Sequence, residues 1–174
     1  MNRITSSFLT YSPDIDEMDS LRLKNPREIV IDIARRKGLE SLKKYPDDII
    51  IAADTIVVLD NEIIGKPKDE EDAKKILRHL SNKEHLVITG YIIINKEKIM
   101  LNAVTSHVQI YDLTDKQIEE YVKSGSPLDK AGGYGIQDNS KYHIVRSYIG
   151  SFDNIKGFPV EVIRRDLELF INQK

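Results

Sequence analysis

Residues 49–59 constrain the fold of this chain more than any other segment. They are apolar except at Asp54 and Thr55, they are rich in isoleucine and valine, and the turn-forming pair Asp60-Asn61 follows them. This pattern is typical of a buried β-strand, and the turn leads into a second short strand at residues 62–64. The sequence therefore predicts a hairpin with a carboxylate in the middle of its buried strand.

Helix and strand patterns alternate along the rest of the chain. Asn25 can cap a helix that has Pro26 at its first position and runs to about Lys44. Asp69 and Thr114 can cap two further helices, and the last helix begins at Pro159. The other expected strands are residues 4–10, 85–95, 98–111 and 142–148. The alternation predicts an α/β fold, and 174 residues are most simply one domain.

Composition excludes several classes of protein. A net charge of −2, with basic and acidic residues interspersed, provides no broad positive surface for nucleic acid. The absence of cysteine excludes disulfides and thiolate metal sites. The N-terminus lacks the apolar core of a signal peptide, and no apolar run approaches the roughly 18 residues of a membrane span. We therefore expect a soluble, cytoplasmic protein that binds neither nucleic acid nor membranes.

Lys37 is out of place in the first helix. Val30, Ile33 and Ala34 precede it at helical spacing, so Lys37 lies on the apolar face. One interpretation is a lysine at the edge of that face whose ammonium extends to water. The other is a functional lysine directed into a site.

Asp54 and Lys66 each have two interpretations as well. A carboxylate on a buried strand costs several kcal/mol unless it is paired or binds a metal. Asp54 and Thr55 either lie at a strand end, bonded to a turn, or at the mouth of a ligand cleft. Lys66 lies between Gly65 and Pro67, where it is either a solvated turn residue or a lysine held toward a phosphate.

The loop over residues 124–138 is rich in glycine. Gly132, Gly133 and Gly135 permit close backbone approach, which suits a loop that folds over a ligand. The spacing matches neither a dinucleotide fingerprint nor a P-loop. The polar residues of the loop have either a ligand role or ordinary turn hydrogen bonds, and they are Asp129, Lys130 and Gln137.

Short motifs follow one another along the chain in a fixed order. They are PDIDE (13–17), ARRKG (34–38), ADTIVVLD (53–60), GKP (65–67), TG (89–90), LDKAGGYGIQ (128–137) and GSFDNIKGFP (150–159). In this order and spacing, from about Phe8 to the C-terminus, the chain resembles the Maf family of nucleoside triphosphate pyrophosphatases. Several short motifs in this order and spacing identify a family far more specifically than any single motif does.

The resemblance implies a fold and a reaction. The fold is α/β, like that of the Maf and inosine triphosphate pyrophosphatases, with a mixed, curved sheet flanked by helices and two lobes around a central cleft. The reaction is hydrolysis of a nucleoside triphosphate between the α and β phosphates, with Mg²⁺ or Mn²⁺, usually by a homodimer. A threonine directly after Asp54 resembles the branch of the family that acts on dTTP and UTP.

The resemblance also implies residue roles. Asp54 matches the general base, and Glu17 matches an acid that helps Asp54 hold the metal. Lys37 and Lys66 match phosphate-binding lysines. Thr55 and Gln137 match positions tied to base selection, and the substrate-binding set is completed by Asp129 and Lys130.

One part of the family pattern is missing. The family begins with a strand and a Ser-x-Ser-Pro-Arg-Arg stretch that grips the phosphates, and this chain has no such stretch. Residues 8–17 align without gaps to the segment after it, which predicts a single domain over residues 1–174 shortened at its N-terminus. A gapped alternative puts residues 4–7 on the first strand, and a natural start upstream of Met1 is a third possibility.

Two hypotheses for function follow from this departure. The chain is an active pyrophosphatase, impaired or with a substitute for the missing arginines, because every other ionisable site position is retained. Alternatively, it is a catalytically inactive relative that binds nucleotides or a protein, because losing a bidentate arginine removes affinity and transition-state stabilisation.

Overall fold

The computed structural model of the chain describes Ile4, residues 7–17 and residues 20–172. The strands are β1 (Ile50–Leu59), β2 (Glu62–Ile64), β3 (Glu84–Ile94), β4 (Ile99–Ile110) and β5 (Val145–Ile149). The helices are α1 (Pro26–Lys44), α2 (Glu70–Leu80), α3 (Asp115–Val122), α4 (Asn139–Tyr142), α5 (Phe152–Ile155) and α6 (Val160–Asn172). No helix in this described part of the chain is long and apolar enough to cross a membrane.

The strands form one sheet in the order β2-β1-β3-β4-β5. The α/β class is confirmed, but the sheet is antiparallel rather than the mixed one that the resemblance implies. The connections explain the difference, because β1–β2 and β3–β4 are joined by tight turns, and such turns link antiparallel strands. The turn after β1 has Asp60 at φ 51° and Asn61 at φ 67°, as a type I′ turn requires.

The predicted starts of the first three long helices are confirmed by their caps. The Asn25 side chain accepts from the Arg27 N–H at 2.9 Å, and the Asp69 carboxylate accepts from the Asp72 N–H at 2.8 Å. Thr114 forms a capping box with Gln117. Each cap satisfies a donor that would otherwise have no partner in the helix, which is typically worth about 1 kcal/mol.

The first compact unit comprises Met1–Asp54, Thr89–Val104 and Gly157–Lys174. Within it the two faces of β3 pack against different helices. On one face α1 approaches the strand so closely that a Cβ built at Gly90 would lie 2.4 Å from the backbone of Val30. On the other face Tyr91 packs in a buried cluster with Ile163 and Phe170 of α6. Alternation of side chains along β3 thus places a helix on each side.

The second compact unit comprises Thr55–Ile88 and Thr105–Lys156. Its core is a cluster of buried apolar side chains from strands, from α2 and α3, and from the glycine-rich loop. The fully buried members include Leu77, Leu80, Val108, Ile118 and Tyr121. The packing fixes one face of α2 and of α3 and anchors the loop that follows α3. The single domain over residues 1–174 stays a prediction.

Some predicted elements differ from the structure. The strand expected over residues 4–10 is not formed by Ile4 or by residues 7–10, and Thr5 and Ser6 lie outside the described residues. The strand expected at residues 142–148 begins later, at Val145, because α4 occupies the preceding residues and ends at His143 with a left-handed φ of 50°. The glycine-rich loop contains three short 3₁₀ turns, and α5 is an additional helix capped by Ser151.

Candidate active site

A lysine of the first unit lies between two carboxylates. The Lys37 Nζ lies 2.6 Å from Asp54 Oδ1 and 2.9 Å from Glu17 Oε1. Lys37 comes from α1, Asp54 from β1, and Glu17 from the irregular segment before α1. Three predicted site residues of this unit are therefore brought together in one hydrogen-bonded group, which we call the Lys37 triad.

The triad excludes one of the two interpretations for Lys37 and for Asp54. Lys37 lies on the face of α1 that buries Val30 and Ile33, and its ammonium bonds to carboxylates instead of extending to water. Asp54 lies inside β1 rather than at its end, so the strand-end interpretation is wrong. Their side chains retain only 23% and 17% of their exposure, so this pair is shielded from most solvent screening.

The charges of the triad are unequal. Burial disfavours the charged ammonium, but hydrogen bonds to Asp54 and Glu17 outweigh it and raise the pKa of Lys37. Lys37 is therefore charged at neutral pH, opposite two carboxylates. With both acids ionised, the triad carries one net negative charge, and a further cation nearby is electrostatically favoured.

The two acids suit a particular kind of metal site. No group of three or more histidine, aspartate or glutamate side chains is arranged to hold a metal among the described residues. Mg²⁺, however, is commonly bound by one or two carboxylates together with water and substrate phosphates. Glu17 and Asp54 both bond to one cation, the Lys37 ammonium, so the two carboxylates face the same place in the first unit. The donor set therefore fits a divalent ion that arrives with a triphosphate.

In the second unit the Lys66 turn packs against the glycine-rich loop. The Gly132 N–H donates to the Gly65 carbonyl oxygen at 3.0 Å, and a Cβ built at Gly133 would touch Pro67 at 3.4 Å. The Lys66 side chain is exposed and has no hydrogen bond or ion pair with any residue that the structure describes. The turn thus holds the backbone of Lys66 while its ammonium stays accessible.

Lys130 differs from Lys66, because its ammonium is already engaged. Its Nζ lies 2.6 Å from the Ser126 carbonyl oxygen, 3.2 Å from Ser126 Oγ and 2.6 Å from Asp129 Oδ1. The hydrogen bond from Lys130, with a smaller contribution from the charge of Lys66, holds the pKa of Asp129 below its ordinary value. Turn hydrogen bonding, one of the two interpretations of this loop, is therefore what Lys130 and Asp129 do in this structure.

Gly135 is the point where the side chains of the loop meet. A Cβ built there would lie 2.9 Å from Lys130 Cε, 3.0 Å from Gln137 Cδ and 3.0 Å from Asp138 Oδ2. Any larger residue would displace these groups. Gln137 is exposed, and Thr55, which follows Asp54 in β1, is half-buried. The predicted site residues of the second unit thus lie in this loop, apart from Lys66, which lies in the turn packed against the loop, and Thr55.

Sequence reasoning missed the acid that joins the loop together. Asp138 Oδ2 accepts from Tyr121 Oη at 2.8 Å and from Ser126 Oγ at 2.7 Å, and Tyr121 Oη accepts from the Gly135 N–H at 2.9 Å. Burial, with the Asp138 carboxylate adding to it, raises the pKa of Tyr121, so its hydroxyl remains a donor. The available signal was an acid directly after Gln137, and it looked like an ordinary turn residue.

Known proteins match this chain in sequence along most of its length. The family described as Maf-like protein matches residues 1–170. A dTTP/UTP pyrophosphatase of Pyrococcus furiosus is 44% identical over 151 residues, which cover 87% of this chain and 79% of that protein. A dTTP/UTP pyrophosphatase of Dictyoglomus turgidum is 40% identical over 162 residues, which cover 92% of this chain and 83% of that protein.

The geometry brings several of the short motifs together. The Lys37 triad joins three of the short motifs, at residues 13–17, 34–38 and 53–60, and the glycine-rich loop packs on a fourth, at residues 65–67. The family match extends over nearly the whole chain, and the identity to the curated relatives is well above what a shared fold alone requires. The chain belongs to the Maf family.

Proposed function

We propose that this chain is a nucleoside triphosphate pyrophosphatase that hydrolyses dTTP, UTP or a similar nucleotide to the monophosphate and pyrophosphate. The observation that carries the proposal is the Lys37 triad, in which a half-buried aspartate is held on a strand beside a charged lysine. The names of the relatives, dTTP/UTP pyrophosphatase, support the choice of substrate.

Asp54 acts as the general base in this mechanism. Its carboxylate takes a proton from water as the water oxygen bonds to the attacked phosphorus, and the bridging oxygen leaves with pyrophosphate. The base must be rigidly placed to do this, and a position inside β1 provides that rigidity. Lys37 orients the carboxylate through its 2.6 Å hydrogen bond and supplies positive charge beside it.

Lys66 is the principal phosphate-binding lysine of the second unit. A charge about 4 Å from a phosphate oxygen is worth roughly 4 kcal/mol before desolvation at an effective dielectric near 20. Lys66 can supply that charge without breaking an existing contact with any described residue, whereas Lys130 would first have to leave Ser126 and Asp129. Lys130 and Asp129 therefore contribute to substrate binding mainly through the loop that they hold.

Glu17 and Asp54 would hold Mg²⁺ or Mn²⁺ together with phosphate oxygens. When bound, the metal neutralises phosphate charge and polarises the attacked phosphoryl group. Thr55 and Gln137 would select the base. A homodimer in the cytoplasm remains the expectation from the family resemblance.

Pyrophosphate release from a panel of nucleoside triphosphates tests the proposal. We expect release from dTTP or UTP with Mg²⁺ or Mn²⁺, and a loss of at least about 100-fold in Asp54→Asn because the general base is removed. Asp60→Asn is the matched control, since Asp60 is exposed, undergoes the same change and has a φ of 51° that asparagine tolerates. Asp60→Asn should keep wild-type activity.

The opposite result has a defined meaning. A folded wild-type chain that releases no pyrophosphate from any nucleotide would contradict the proposal and favour the inactive binding module. A rise in Tm with a nucleotide but without turnover would identify that module as a nucleotide binder. Equal turnover in wild type and Asp54→Asn would remove Asp54 from the mechanism.

A further inference from the structure

Asp138 is the last residue of the glycine-rich loop, and its carboxylate has no part in the mechanism above. It accepts hydrogen bonds from Tyr121 of α3 and from Ser126 at the start of the loop. Tyr121 is fully buried, so it is a fixed point of the core rather than a mobile surface group. Asp138 thus ties the end of the loop both to the core and to the beginning of the loop.

The same hydrogen bonds reach the backbone beside Gln137. Tyr121 Oη, which donates to Asp138, accepts from the Gly135 N–H. Ser126 Oγ, which also donates to Asp138, accepts from the Lys130 ammonium. These contacts form a continuous network of side chains and backbone, which we call the Asp138 clamp.

The clamp determines where Gln137 can point. Gln137 Cδ and Asp138 Oδ2 lie on the same side of Gly135, each 3.0 Å from the position where a Cβ would be. Gln137 is exposed and its amide has no hydrogen bond to any described residue, so its direction depends on the backbone that carries it. That backbone is fixed on one side by the Gly135 N–H and on the other by the Asp138 side chain.

We propose that Asp138 is a positioning residue for substrate selection, which acts by holding the loop so that the Gln137 amide meets the nucleotide base in one orientation. This inference rests on the proposed function and deepens it. An amide with one orientation distinguishes a pyrimidine base from a purine by hydrogen-bond pattern, and an amide on a loose loop does not. The names of the relatives, dTTP/UTP pyrophosphatase, make a pyrimidine nucleoside triphosphate the substrate class for this site.

Three variants separate positioning from folding. Asp138→Ala removes the acceptor of both hydroxyls. Asp138→Asn keeps it, because both hydroxyls donate to one oxygen, Oδ2, and an amide oxygen can occupy that place. Asp112→Ala is the matched control, an exposed aspartate of the same unit with no hydrogen bond to any described residue. If Asp138→Ala does not fold, Ser126→Ala replaces it, since it removes only one of the two donors.

The decisive measurements are KM and kcat for UTP and for ATP. In Asp138→Ala we expect the KM for UTP to rise about tenfold, with kcat changed less than about threefold, because the lost acceptor is a half-buried carboxylate and a hydrogen bond to a charged group is worth about this much. The preference for UTP over ATP should also fall in Asp138→Ala. Asp138→Asn should restore both the KM for UTP and this preference. Ser126→Ala should show a smaller change in the same direction.

Hydrogen exchange at the Gly135 amide tests the positioning role of Asp138 independently of the proposed pyrophosphatase activity. Exchange there should accelerate in Asp138→Ala and not in Asp112→Ala, whether or not nucleotide is present. Faster exchange with an unchanged KM and unchanged preference would overturn the positioning role alone. A wild-type chain without turnover would overturn the proposed function, and the positioning role with it.

Discussion

At the scale of single residues, the Lys37 triad balances one positive charge against two negative ones, and we expect it to support stability as well as chemistry. Lys37→Met keeps the length of the side chain but leaves Glu17 and Asp54 as neighbouring like charges. The three groups are only partly buried, so we expect the free energy of unfolding to fall by about 1–2 kcal/mol, less than for a fully buried pair. Urea unfolding at neutral pH measures the loss.

Two further variants and the pH dependence test this explanation. Asp54→Asn added to Lys37→Met removes the repulsion and should recover part of the loss, whereas Lys43→Met, which changes an exposed lysine of α1, should have little effect. Since the folded pKa of Lys37 is raised, its contribution is complete below the unfolded pKa and disappears as the pH rises through the folded pKa. A double variant no more stable than Lys37→Met would contradict the like-charge explanation.

The residues that could be predicted from the sequence share one property. Lys37 and Asp54 are polar side chains at positions where the helical or strand pattern calls for apolar ones, so each costs free energy that a partner must offset. Asp138 lies in a loop, where an acid is expected and costs nothing, so no local pattern marks it. Its importance arises from Tyr121, which is distant in sequence and adjacent only in the fold.

At the scale of elements, the contact between α1 and β3 depends on a glycine. A Cβ at Gly90 would lie within 2.4–2.6 Å of the Val30 carbonyl group and the Ile31 nitrogen. Backbone atoms cannot rotate away, so Gly90→Ala must push α1 off the strand, and we expect it to cost at least about 3 kcal/mol or to prevent folding. Thermal unfolding and gel filtration measure both outcomes.

Gly65→Ala is the matched control for this prediction. No atom lies within 4 Å of a Cβ built at Gly65, and its φ is not in the left-handed region, so alanine should change Tm by only a few degrees. A Gly90→Ala protein with the Tm of Gly65→Ala would show that α1 can shift without loss of packing.

The starts of three helices could be predicted from the sequence, but the start of β5 could not, for a physical reason. A cap is a local contact between a side chain and an N–H two or three residues away, so it is visible in the sequence at Asn25, Asp69 and Thr114. The start of β5 depends instead on His143 in a left-handed conformation and on pairing of Val145 with Ile110 of β4. Such pairing joins segments that are far apart in sequence. The mixture of polar and apolar residues at 142–148 does not indicate where it begins.

At the scale of the whole molecule, alternation of helices and strands is enough to predict the α/β class but not the sheet. Strand order and direction are set by which strands pair, and only the two tight-turn hairpins are local. The place of β5 next to β4 at the edge, and the division into two compact units, rest on contacts between segments far apart in sequence. The family resemblance implied a mixed sheet, and the pairing is antiparallel.

The unfolding of the whole molecule should depend on the protonation of one histidine. His85 is 2% exposed, its Nε2 lies 2.7 Å from Tyr134 Oη, and burial lowers its pKa from 6.5 to about 4. As the pH falls below 6.5, the unfolded chain binds a proton that the folded chain does not accept until about pH 4. Stability should therefore decline between these values, by on the order of 3 kcal/mol in total.

Urea unfolding at a series of pH values from 7 to 5 isolates this effect, because most carboxylates stay ionised in that range. His85→Phe combined with Tyr134→Phe removes the titrating ring without leaving a buried hydroxyl unpaired, and it should flatten the slope of unfolding free energy against pH. His107→Gln removes an exposed histidine instead and should keep the wild-type slope. Equal slopes in all three proteins would mean that His85 is accessible to protons in the folded state, and that its pair with Tyr134 opens more easily than its burial indicates.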